Sequence, residues 1–97
     1  MADLSFAAGT TGMLVTFVVR DGGVPISNAT SATVTWMAQD GRRRPLALAD
    51  ATAATFTYTL SAGDYPVPRY ETGQLRVSIG TNVLWQGPFT VRVMPHL

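Results

Sequence analysis

Any chemistry in this sequence would have to come from one histidine, six carboxylates and a run of arginines. A Ser-His-Asp relay would depend on His96, one residue from the C-terminus, where a side chain is hard to preorganise. The expectation is a solvated tail residue. There are no cysteines, which excludes disulfides and thiolate metal sites. With a single histidine, a transition metal would have to rely mostly on carboxylates. Asp3, Asp21, Asp40, Asp50, Asp64 and Glu71 mostly fall in turn contexts, where aspartate bonds its own backbone. They lack the dense Asp-x-Asp spacing of a calcium loop. Gly9-Thr10-Thr11-Gly12 has no Gly-Lys-Ser ending and opens a strand, so it does not read as a phosphate loop. Asn28-Ala29-Thr30 has the glycosylation triplet, but no basic and apolar leader precedes it. The sequence predicts no catalytic, metal or cofactor residues and a chain that is not an enzyme.

What remains is contact chemistry. Arg42, Arg43 and Arg44 form the one charge run. It reads as a solvated edge hairpin whose charges deter edge-to-edge pairing, or else as a contact to an acidic protein surface. Three arginines with no aromatic platform beside them make a poor nucleic-acid site. Tyr65 and Tyr70 bracket Pro66, Pro68 and Arg69. That loop is either an interface anchor or a plug in which one tyrosine closes the end of a sandwich. Trp85 is expected in the core rather than at the surface.

The elements that position these residues follow a period of two. Met13, Val15, Phe17 and Val19 fall on one face of a strand that ends at Asp21-Gly22-Gly23. Ala32, Val34, Trp36 and Ala38 share one face of the next, with Trp36 as the central aromatic. Asp40-Gly41 marks a hairpin into a return strand over Arg42 to Leu48. Phe56, Tyr58 and Leu60 alternate with threonines, which suit an exposed strand face. Ser61 to Asp64 is expected to cap one short helical turn, stopped by Pro66 and Pro68. Leu75, Val77 and Ile79 point inward from a strand over Gln74 to Gly80. A last arm starts at Val83, is broken or bulged at Gly87-Pro88, and resumes with Phe89, Val91 and Val93 inward. About seven strands with regular turn signals predict an all-β, antiparallel immunoglobulin-like sandwich.

Composition agrees with one small domain spanning residues 1–97. Net charge is +1 and does not predict nucleic-acid binding. No apolar run approaches the roughly 20 residues of a membrane span. The chain is expected to be a complete small protein, assembled in a bacterial cytoplasm, where disulfides are not needed. Only 13% of residues are charged, about half the ordinary share, which suggests surface covered by neighbouring subunits. The segment Met1 to Thr11 is expected to be an arm able to add a strand to a neighbour, and residues 94–97 a tail.

The order of motifs resembles a known family. Leu4-Ser5-Phe6, Leu14-Val15-Thr16-Phe17 and Ser31-Ala32-Thr33-Val34-Thr35-Trp36 come first. Tyr58-Thr59-Leu60-Ser61-Ala62-Gly63-Asp64, Pro68-Arg69-Tyr70 and Gly87-Pro88-Phe89-Thr90-Val91-Arg92-Val93 follow. From roughly Leu4 to Val93 the chain resembles the immunoglobulin-like N-terminal domain of upper baseplate proteins of tailed phages and related small head or tail fibre proteins. The resemblance implies a virion component of a phage or gene-transfer-agent particle. Its partners would be capsid, baseplate or fibre subunits and further copies of itself, with no nucleic acid and no membrane. The family continues into a fibre or receptor-binding region, whereas this chain stops at Leu97. That leaves an adaptor, spike-base or capsid-decoration role. The expected interface residues are Leu4, Phe6, Arg42, Arg43, Arg44, Tyr65, Arg69, Tyr70, Met94 and Leu97. A carbohydrate- or receptor-binding module is the alternative, with Tyr65, Tyr70 and Trp85 as its aromatics.

Overall fold

Alternation of apolar and polar residues produces ten strands in the computed structural model, which describes residues 3–61 and 63–95. They are β1 (Leu4–Ala7), β2 (Leu14–Val18), β3 (Arg20–Asp21), β4 (Val24–Pro25), β5 (Ala32–Ala38), β6 (Arg43–Pro45), β7 (Ala47–Asp50), β8 (Thr55–Thr59), β9 (Arg69–Ile79) and β10 (Asn82–Met94). A single 3-10 turn, Ala29–Ser31, leads into β5. A five-stranded sheet runs β1-β10-β9-β5-β6, a three-stranded sheet runs β2-β8-β7, and β3 and β4 form a small ribbon.

The core lies between the two larger sheets. Phe17 of the three-stranded sheet has its ring centroid 6.0 Å from Trp36 and 5.0 Å from Phe89, both in the five-stranded sheet. Trp36 also meets Phe89 at 5.6 Å and Tyr58 at 5.9 Å, edge to face. Such tilted contacts add to the area term when several rings meet. Of the residues expected inside, Val15, Phe17, Val34, Trp36, Phe56, Leu60, Leu75, Val77, Phe89, Val91 and Val93 are buried. Tyr58 and Ile79 are only partly buried, packed against the rim of the core.

Three expectations need correction. The five-stranded sheet is mixed rather than antiparallel, because β1 runs parallel to β10, pairing Leu4 with Val91 and Phe6 with Val93. Periodicity reports that a segment is a strand but not its direction, and neighbours far apart in sequence need no hairpin. The opening segment is therefore not a free arm over its length. Leu4–Ala7 is paired, Leu4 packs against the core, and Phe6 is buried. The return strand is split. β6 pairs with β5, Leu46 donates its N–H to the Val34 carbonyl, and β7 then joins β8 in the other sheet. Leu46 turns inward at the crossing, so the chain changes sheets without exposing it fully. Of the break or bulge expected at Gly87-Pro88, the structure has the bulge, and β10 runs on through it. A register shift between Gln86 and Phe89 absorbs them as a bulge, with Gly87 at a φ of 120° that only glycine adopts readily.

Candidate functional site

Two groups of side chains stand out, one buried at an end of the molecule and one spread over a sheet face. The buried group begins with β6. Strand alternation turns Arg43 and Pro45 outward and Arg44 inward. Arg44 is thus 3% exposed, against the expectation of a solvated hairpin. Its guanidinium carbon lies 4.9 Å from the Trp36 ring centroid and 4.7 Å from that of Tyr65. Cation–π contacts of this kind strengthen where water is excluded. Nε stands 3.4 Å from Asp64 Oδ1, while Nη1 has no partner among the described residues.

Asp64 is the hub of the loop between β8 and β9. Its Oδ2 accepts from the Tyr58 hydroxyl at 2.9 Å, the Ser61 N–H at 2.8 Å and the Ser61 hydroxyl at 3.0 Å. The side-chain bond back to Ser61 N–H is half of the expected capping box. The segment is a turn, closed by Asp64 N–H on the Ser61 carbonyl at 3.0 Å. Burial works against the Asp64 charge. The Ser61 N–H, the Tyr58 and Ser61 hydroxyls and the Arg44 cation outweigh it and hold the carboxyl below its ordinary value. Tyr58 is raised in turn, first by burial and then by donating to Asp64.

Tyr65, expected as an interface anchor or a plug, is buried. Its ring meets Phe6 edge-on at 5.3 Å and its hydroxyl donates to Glu71 Oε1. Burial, and then that bond, push its ionisation far above the ordinary tyrosine value. Glu71 is buried too. Arg69 Nη2 approaches Glu71 Oε2 at 3.0 Å as an ion pair outside hydrogen-bond geometry. Arg69 also reaches Asp40 Oδ2 at 3.4 Å, and Arg42 Nε lies 3.6 Å from the same oxygen. The Arg42 N–H on Asp40 Oδ1, against a small burial cost and with the Arg69 cation, holds Asp40 below its ordinary value. Chemically, this network ties β6, the β8–β9 loop and β9 together by spending its charges on one another.

Phe6, Arg44 and Tyr65 are therefore interior, and Arg42 and Arg69 belong to the network's rim. Exposed interface candidates are Arg42, Arg43, Tyr70 and Met94. Leu97, like His96, lies outside the described residues. Trp85 corrects the core expectation, since it is 56% exposed on the outer face of β10. The bulge explains why. Through Gln86 the inward set is Leu84 and Gln86; beyond it the inward set is Phe89, Val91 and Val93. Counting by twos across a bulge changes the face.

The outer face of the five-stranded sheet is the second group. Ladder register places Pro45, Thr35, Arg76 and Trp85 in one row across β6, β5, β9 and β10. Arg43, Met37 and Gln74 make the next row. A shallow hollow of about 380 Å³ is lined by Thr35, Met37, Arg43, Arg76 and Trp85. Further along, Tyr70 pairs with Arg92, which pairs with Ser5. No three histidine, aspartate or glutamate side chains converge among the described residues, and no helix is long and apolar enough to cross a membrane. No family model matches this chain, and no curated protein matches it.

Proposed function

We propose that this chain is an immunoglobulin-like sandwich that acts by protein–protein assembly, as a structural component of a tailed-phage or phage-like particle. The fold part is supported by strand order. Such sandwiches place strands B, E and D in one sheet and G, F, C and C′ in the other. Reading β2, β8 and β7 as the first set, and β10, β9, β5 and β6 as the second, reproduces both orders. Trp36 then falls on strand C, where the buried tryptophan of these domains sits. The particle part is supported by the motif order from Leu4 to Val93.

The observation that carries the assembly reading is the exposed apolar surface. Trp85, Tyr70, Leu14, Val67 and Val24 are each more than half exposed, at 56, 65, 58, 59 and 64%. Scattered exposed side chains are ordinary, but grouped ones mark surfaces that other proteins cover. The grouping that supports the reading is Trp85 with Met37 on the outer face of the five-stranded sheet. Mass spectrometry of particles purified from the source cells tests the reading. The expected result is this chain among the particle proteins, at fixed stoichiometry. A chain found only as a free monomer, with none in the particles, overturns it.

The carbohydrate-binding reading gains less. Tyr65 is buried, so it presents no ring to a sugar. Tyr70 lies six residues along β9 from Arg76, the partner of Trp85. At about 3.3 Å per residue the two exposed rings stand roughly 20 Å apart, too far to flank one sugar.

A further inference from the structure

The arginines of the five-stranded sheet divide into two sets. Arg44 and Arg69 sit within 4 Å of carboxylates in the buried network. Arg43, Arg76 and Arg92 form no ion pair among the described residues. They all point outward, from β6, β9 and β10, by the alternation of their strands. The only acidic residue in the five strands is Glu71, and it is 2% exposed and faces inward. The strands therefore give the outer face cations and no carboxylate; Asp3, whose Oδ1 accepts from the Thr90 N–H, lies at its β1 edge. Two of these cations, Arg43 and Arg76, share the hollow with the Trp85 ring and the Thr35 side chain.

We propose that this hollow is a docking site for an acidic segment of a partner protein, with an Asp or Glu carboxylate held by Arg43 and Arg76 and its neighbouring apolar atoms on Trp85. The proposal rests on the assembly reading and adds the chemistry of the partner. Planar guanidiniums grip carboxylates through paired N–H donors. Tryptophan and arginine are also the residue types that dominate binding energy at interfaces. Thr35, which also lines the hollow, carries a hydroxyl able to donate one further bond. A single-stranded nucleic acid fits less well. Successive bases need successive stacking platforms along a basic track, and here the second exposed ring, Tyr70, is roughly 20 Å from the first.

The test uses the whole chain and a fluorescein-labelled poly-L-glutamate as probe, followed by anisotropy, with acrylamide quenching of tryptophan as a second readout. Trp36 is fully buried and Trp85 is exposed, so quenching reports on Trp85. The expected result is binding that protects Trp85 from acrylamide. Arg43→Gln and Arg76→Gln should each weaken it about tenfold, the value of one charge-assisted bond pair. Arg20→Gln, an exposed arginine outside this face, should leave it unchanged. All three sites are at the surface, and an unchanged circular dichroism spectrum checks that each variant folds. Equal binding by wild type, Arg43→Gln and Arg76→Gln overturns the proposal. Tighter binding of oligo(dT), or of a polyuronate, than of poly-L-glutamate also overturns it, in favour of nucleic acid or acidic sugar. Self-association abolished by Arg76→Gln without poly-L-glutamate binding overturns it in favour of a second copy. The particle composition experiment is independent. A chain present in particles whose hollow ignores poly-L-glutamate refutes this proposal and leaves the assembly reading intact.

Discussion

A side chain at Gly73 would occupy the space already held by Trp36. A Cβ built there sits 2.7 Å from the indole Nε1 and 2.9 Å from Phe89 Cζ. Gly73 lies in β9 opposite Ala38 and Phe89, and its backbone carries no positive φ. Its requirement is purely one of room. Neither ring can retreat, because Trp36 and Phe89 are both buried against Phe17.

Gly73→Ala should therefore destabilise the protein by about 1–3 kcal/mol, the usual cost of overpacking a close-packed core. Urea denaturation would show a lower midpoint with an unchanged slope. Gly63→Ala, whose added Cβ meets nothing within 4 Å, serves as the control and should cost far less. Equal midpoints for the two variants would refute the crowding argument.

Arg44 makes a second prediction. Arg44→Ala removes the cation between two rings and deprives Asp64 of its ion pair. Breaking a fully buried pair costs roughly 3–5 kcal/mol; Asp64 keeps some solvent and three other donors, so about 2–3 kcal/mol is expected. Arg44→Met fills the same slot without a charge and should recover most of that loss. A Met variant no more stable than the Ala variant would show that the charge, and not the packing, holds the loop.

These two residues also show what the sequence could disclose. Trp36 was legible as the central aromatic because period-two spacing and flanking turns are local signals. Gly73 was not, since its neighbours come from β5 and β10. Arg44 sits in a run of three arginines that share one composition. Only the phase of β6 relative to the sheet separates a solvated residue from a buried one, and three residues are too few to reveal it. Tyr65 and Tyr70 are alike in type and differ in burial because β9 begins between them. Trp85 faces outward rather than into the core for a related reason, the bulge that inverts the count after Gln86. The partition of the arginines into paired and unpaired sets depends mostly on partners distant in sequence, Asp64 for Arg44 and Asp40 for Arg69, with Glu71 the one near neighbour.

Stability should depend on pH at both extremes. Asp40 and Asp64 have folded values below the ordinary 3.8. Their contribution is complete above that value and is lost as pH falls through the lower folded values. Thermal midpoints should drop below about pH 4, and Asp64→Asn should flatten part of that acid limb. Tyr58 and Tyr65 are raised above the ordinary 10.0. Above that pH the unfolded chain releases phenolic protons that the folded chain keeps, so stability falls as pH rises. Tyr65→Phe should shorten the alkaline limb while lowering stability at neutral pH, because Glu71 Oε1 loses its donor. An alkaline limb identical in wild type and Tyr65→Phe would contradict the burial of that hydroxyl.

Gln86 supplies the last prediction, and it concerns how the two sheets are joined at an open edge. Among the described residues β2 pairs only with β8, and no strand lies on its other side. The Gln86 side chain lies across that side. Its Nε2 donates to the Val18 carbonyl at 2.9 Å and its Oε1 accepts from the Arg20 N–H at 2.8 Å. One side-chain amide thus occupies the place of a peptide unit in a missing neighbour strand. Gln86→Leu keeps the bulk but removes both bonds, at a cost of about 1–3 kcal/mol. Amide exchange should accelerate most at Arg20, whose N–H loses the Gln86 acceptor, and little at Val19, whose N–H remains on the Ala54 carbonyl at 2.9 Å. The uncovered edge, apolar from Leu14 to Val18 except for Thr16, should also self-associate more readily, because unpaired strand edges template further strands. Exchange at Arg20 as slow as in wild type would mean that the amide contributes nothing to this edge, and that the facing sheets are held by the core alone.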